Sequence, residues 1–251
     1  MKFLSCMGSR RSSNVLIEQT RNLRMNKEMQ PKIALIHATR LAISPIEKTF
    51  QDYWPEANTF NLLDEGLLKD IACLSSQEMN KRFQSLASYA TGTGCDAILF
   101  SCSVFGSAID SVKNAFNLPV YKPNEAMLDS IYKLAQEKQN LKMLVMGTSK
   151  LSVDSLSSEI GEWSKKNHTS IQIEKLFIDK AFELLGQGQM DLHDALIMDA
   201  VKKNQNADLI VFTQFSMASA YQRCQEVSSA PIYSAPIIAV QTLQTRITHE
   251  R

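Results

Sequence analysis

Three segments of this chain occur twice, in the same order. Lys32-Ile-Ala-Leu-Ile36-His-Ala38 is echoed by Lys142-Met-Leu-Val-Met146-Gly-Thr148, a spacing of 110 (32 to 142). Asp96-Ala-Ile-Leu-Phe100-Ser-Cys102 is echoed by Asp208-Leu-Ile-Val-Phe212-Thr-Gln214, a spacing of 112 (96 to 208), and Pro119-Val-Tyr121 by Pro231-Ile-Tyr233 at the same 112 (119 to 231). The apolar runs are too short for helices and read as strands buried on both faces. A near-constant spacing makes them a duplication, so the chain folds as two copies of one unit.

Between these strands the pattern is helical. Ser44-Pro45 opens a helix after the first strand, Asn58 to Leu63 alternates as a second strand, and a helical stretch runs from Asp64 to about Ala90. Another helix starts at the Ser103 to Gly106 turn, and one beginning at Pro123-Asn-Glu-Ala-Met127 runs to about Asn140. The second copy supplies a helix after Ser149, a strand near Ile171 to Leu176 and a helix from about Met190 to Asn204. Buried strands alternating with helices call for parallel sheets covered on both faces. The expected fold is α/β: two similar lobes related by pseudo-two-fold symmetry, residues 31–140 and 141–233. The C-terminal helix, 234–251, is free to join the first lobe.

Ligands of open parallel sheets bind at the carboxyl ends of the strands, so the expected site is the cleft where both sets of ends meet. Cys102 lies just past one such end, and Gln214 is its counterpart in the second lobe. A thiol before a helix N-terminus meets free amides, which favour thiolate, although a packed cysteine is the equal alternative. Around it the strand ends place Thr39, Ser103, Thr148, Ser149 and Ser216, with Asn124 at the cleft mouth. Hydroxyls and amides backed by helix N-termini suit a small carboxylate, which they hold without burying a countercharge. Helix capping is a competing role for Thr39, Thr148 and Asn124. His37 has Gly147 as its counterpart and is expected to be structural, either solvent-exposed or hydrogen-bonded. Gly92-Thr-Gly94 precedes a strand, the wrong side for a dinucleotide fingerprint.

A net charge of +1 without a basic tract in the folded region argues against nucleic acid, and no stretch approaches the roughly 20 apolar residues of a membrane span. Five cysteines, Cys6, Cys73, Cys95, Cys102 and Cys224, lack paired or CxxC spacing and read as reduced thiols of a cytoplasmic protein with no metal site. Cys73, Cys95 and Cys224 are assigned to packing. Met1 to Gln30, rich in Arg, Ser, Asn and Met, lacks the apolar core of a secretory signal and is expected to be a disordered or non-native leader.

The duplicated lobes, the strand ending in Cys102-Ser103 and Gly147-Thr148 at the start of the second half resemble the aspartate/glutamate racemase superfamily, which includes hydantoin racemases, maleate isomerases and arylmalonate decarboxylases. The resemblance covers roughly Lys32 to Ile247. It implies chemistry without a cofactor at the carbon next to a carboxylate of a small amino acid or dicarboxylic acid. In the racemases of that superfamily two cysteines flank this carbon, one removing a proton and the other returning one. Cys102 matches the first as thiolate base or nucleophile. Gln214 stands in place of the second, and a carboxamide does not shuttle protons near neutral pH. The resemblance therefore implies a racemase/isomerase-type enzyme with an altered second half-site. The alternatives are a single-cysteine decarboxylase, an arrangement that arylmalonate decarboxylases realise from the other lobe, and a non-catalytic binder of small acids. Relatives are often dimers, so a homodimer is expected.

Overall fold

The structure is a computed structural model and describes residues 30–249. The leader expected over Met1–Gln30, with Cys6, lies outside the described residues except for Gln30. The first lobe contains β1 (Lys32–His37), α1 (Ile43–Tyr53), β2 (Asn58–Leu63), α2 (Gly66–Asp70), α3 (Ser76–Gly92), β3 (Ala97–Phe100), α4 (Gly106–Ala115), β4 (Val120–Tyr121) and α5 (Glu125–Glu137). The second contains β5 (Leu141–Gly147), α6 (Lys150–Lys166), β6 (Ile171–Phe177), α7 (Ala181–Gly186), α8 (Met190–Lys203), β7 (Leu209–Phe212), α9 (Tyr221–Gln225) and β8 (Ile232–Ser234), and α10 (Ala235–His249) closes the chain.

Each lobe is a four-stranded parallel sheet, ordered β2-β1-β3-β4 in the first and β6-β5-β7-β8 in the second. The duplication extends to single hydrogen bonds. Asp96 N–H donates to Lys32 O and Asp208 N–H to Lys142 O, both at 2.7 Å, and the two aspartates accept back from the lysine amides at 2.7 and 2.9 Å. Ser101 N–H donates to Ile36 O, and its counterpart Thr213 N–H to Met146 O.

The period of two along each central strand divides the core. Ile33, Leu35, Met143 and Val145 point into one apolar cluster shared by both sheets, which α1, α5, α6 and α10 complete. Ala34 and Ile36 point outward to a cluster with α3 and α4, and Leu144 and Met146 to another with α8. The shared layer fixes one sheet against the other, and α10 packs on α1 and α5 of the first lobe.

The helix expected from Asp64 to Ala90 is two helices. Between them Ser75 caps α3 in a reciprocal box with Glu78, so a new helix starts where an unbroken one was expected. Arg82 ties the pieces together, bidentate to Asp64 at 2.6 and 2.7 Å and paired with Asp70. Cys73 is exposed, against the packing role expected of it, whereas Cys224 is fully buried. No helix among the described residues is long and apolar enough to cross a membrane.

Candidate active site

The carboxyl ends of both sheets open onto a cavity of about 600 Å³ between the lobes. Cys102, Thr39, Ser103, Asn124, Thr148, Ser149, Gln214 and Ser216 all line it. Cys102, half-buried, has extended backbone (φ −122°, ψ 114°) at the head of a short 3-10 turn, Ser103–Phe105, that leads into α4. Burial pushes its thiol above the ordinary value and outweighs the one stabilising contact, the backbone N–H of Val104. Of the two alternatives, thiolate favoured by free amides or packed cysteine, the shift follows the second. A three-residue turn presents fewer aligned amides than a long helix, and the cavity wall removes water from the sulfur.

The second half-site differs in kind. The Gln214 carboxamide oxygen accepts from the Thr148 backbone N–H at 2.7 Å and from the Thr148 hydroxyl at 3.0 Å. A backbone N–H only donates, so the atom facing it must be the oxygen, and the amide orientation is settled by chemistry. The Gln214 NH2 is left with no partner among the described residues, in the wall of the cavity. Thr148 does not cap α6; Ser149 holds the N-cap position and makes no side-chain cap bond. The two donors expected to greet a carboxylate are already used within the protein.

Gly147 makes this arrangement fit. A Cβ there would lie 2.1 Å from Thr213 Oγ1, 2.8 Å from Val153 Cγ2 and 3.3 Å from Gln214 Oε1. Thr213 Oγ1 is buried without a hydrogen-bond partner. In the first lobe the Gly147 position is His37, fully buried, with Nδ1 2.8 Å from Ser101 Oγ and Nε2 2.9 Å from Asn61 Oδ1. Burial lowers its pKa and both nitrogens are occupied, so His37 is a structural, hydrogen-bonded histidine and not a solvent-exposed one. The Thr148 position is Ala38, which has no hydroxyl to offer Cys102.

Of the competing capping roles, that of Thr39 is realised: its Oγ1 accepts from Leu41 N–H at 3.4 Å. Asn124 precedes α5 without a side-chain cap bond. Residues that sequence reasoning missed line the outer cleft: Leu68, Val104, Leu151, Phe177 and Phe182, all exposed, and Lys180, whose φ of 63° is unusual for a residue with a Cβ. Phe177 and Lys180 follow from applying the strand-end rule to β6 as well as to the central strands. Among the described residues no cluster of His, Cys, Asp and Glu could hold a metal ion.

No family model and no curated protein matches the chain. Solved structures do. An aspartate racemase homologue from Pyrococcus horikoshii superposes with a TM-score of 0.65 at 14% identity, over 88% of this chain and 100% of the other. The chain has the fold of the aspartate and glutamate racemases. Glutamate racemase from Francisella tularensis, solved with D-glutamate, matches with a TM-score of 0.59 at 11% identity, covering 88% and 82% of the two chains. A glycine-to-cysteine mutant of arylmalonate decarboxylase, in a sulfate-associated form, matches at 0.62 and 13%, covering 87% and 94%. The racemase fold is thus shared with both isomerases and a decarboxylase.

Proposed function

We propose that the protein is a cofactor-independent racemase/isomerase-type enzyme acting at the carbon alpha to a carboxylate of a small amino acid or dicarboxylic acid. The observation that carries this reading is Cys102 at a strand end of the inter-lobe cavity, with the Gln214 NH2 in the same cavity from the other lobe. Cys102 exchanges a proton with the alpha carbon. As thiolate it accepts the proton, the C–H electron pair passes into the carboxylate as an enediolate, and solvent admitted to the open cavity protonates the enediolate from the opposite face while the thiol gives its proton back to solvent. Gln214 donates through its NH2 to the oxygen on which charge develops, a neutral donor held in place by Thr148. Return of the proton by Cys102 itself would restore the starting configuration and register only as isotope exchange, so inversion depends on delivery from the Gln214 side.

A raised thiol pKa favours the protonated form near neutral pH, and this supports a second reading, a decarboxylase. Loss of CO2 would leave the carbanion, and the Cys102 thiol would protonate it. Both readings are tested by incubating candidate amino, dicarboxylic and malonic acids in heavy water and following deuterium at the alpha carbon and release of CO2. Cys102→Ser is expected to lower either activity by on the order of 100-fold or more. Ligand-induced thermal stabilisation with no turnover in any acid would instead assign a binding protein.

A further inference from the structure

Beside the cleft lies a second chamber of about 210 Å³, and the two share Ser103, Pro123 and Asn124. Ser103 follows Cys102 in the chain, with Cα atoms ~3.8 Å apart, so the chamber begins within one residue of the thiol. Its far walls carry Asp129 and Tyr132 of α5 and Glu159 of α6. The Tyr132 ring, which lines the chamber, stacks on Trp163 with centroids 4.0 Å apart and planes 4° apart.

The charges here do not balance. Lys122 pairs with Asp110 at 2.7 Å and Glu125 with Lys113, whereas Asp129 and Glu159, both reached by solvent, have no ion-pair or hydrogen-bond partner among the described residues. The chamber wall itself thus holds one lysine, Lys122, and three carboxylates, Glu125, Asp129 and Glu159. A separate observation also points to a ligand: Asn124 is only 9% exposed, lines both cavities, and its carboxamide has no hydrogen-bond partner among the described residues. Lys150 and Lys180 line only the main cleft.

We propose that the chamber receives a positively charged nitrogen at the far end of the molecule whose alpha carbon sits at Cys102, so that the substrate is an amino acid with a basic side chain. This rests on the reading of the cleft given above. Asn124 marks the passage and bonds the carboxylate or alpha-amino end, while Asp129 and Glu159 flank the distal ammonium beside the Tyr132 ring.

The test compares lysine, ornithine and arginine with norleucine, which has lysine's chain without the charge, in alpha-deuterium exchange and in thermal stabilisation. A preference of on the order of tenfold in kcat/KM for the basic acids is expected, and the double variant Asp129→Asn/Glu159→Gln is expected to erase it while leaving norleucine unchanged. Equal rates for norleucine and lysine, or a variant that slows all of them alike, would overturn the chamber and leave the Cys102 reading standing. If no acid exchanges, the Cys102 reading falls; the chamber then stands only if lysine stabilises the wild type more than norleucine does and the double variant loses that difference.

Discussion

Gly147→Ala is expected to disrupt the second half-site, by an amount the geometry sets. The added Cβ would sit 2.1 Å from Thr213 Oγ1 and 2.8 Å from Val153 Cγ2, where ordinary contact begins at 3.4 Å. Neither neighbour can easily move aside, because Thr213 and Val153 are both buried and short. Overpacking of this kind costs ~1–3 kcal/mol, which for a chain of this size lowers the melting temperature by roughly 2–12 °C. Gln214 Oε1 at 3.3 Å would be pushed off Thr148 as well. Thr213→Ala alone is expected to be close to neutral, since it removes a buried hydroxyl that has no partner. In the double variant much of the Gly147→Ala loss should return, a coupling of about 1 kcal/mol or more in urea unfolding. A Gly147→Ala protein of unchanged stability, or one whose loss is the same with and without Thr213, would refute the reasoning.

Three further outcomes follow from the site and its surroundings. Gln214→Glu should keep the two Thr148 contacts, which a carboxylate accepts at least as well, yet put a negative oxygen where the NH2 faced the cavity; carboxylate binding is expected to weaken by about tenfold or more with little change in melting temperature, read by calorimetry. Alkylation of Cys102 should show a midpoint above the ordinary thiol value near 8.5, and a midpoint below it would sink the burial argument. Cys224, fully buried, is pushed up from the ordinary thiol value to about 12, so between those values the folded chain keeps a proton that the unfolded chain has lost. Stability present below that ordinary value should therefore fall as pH rises to about 12, by ~1.4 kcal/mol per unit, and Cys224→Ala should flatten that slope in alkaline denaturant titrations.

The architecture was legible because a buried parallel strand leaves a compact signature, four or five apolar residues with a polar stop, and two copies of the signature support each other. Cys102 and Gln214 were found the same way, as the residues after matching stops. The break at Ser75 was missed because the polar face of the stretch continues through it, although Ser75-Ser76-Gln77-Glu78 carries the capping-box spacing in the sequence itself. The thiol shift was not legible either, because it depends on how much water the opposite lobe displaces. Nor was the Thr148–Gln214 contact, which joins residues 66 apart in the chain through the gap at Gly147.

The substitution of Ala38 for Thr148 between the copies has a consequence for handedness. One wall has its polar group tethered by a side chain and a backbone amide and the other holds its sulfur with a backbone amide alone, so a hydrogen isotope that passes through the thiol is delivered from a single direction. In the decarboxylase reading, where the thiol is the proton donor, labelled product should consequently appear in one mirror-image form.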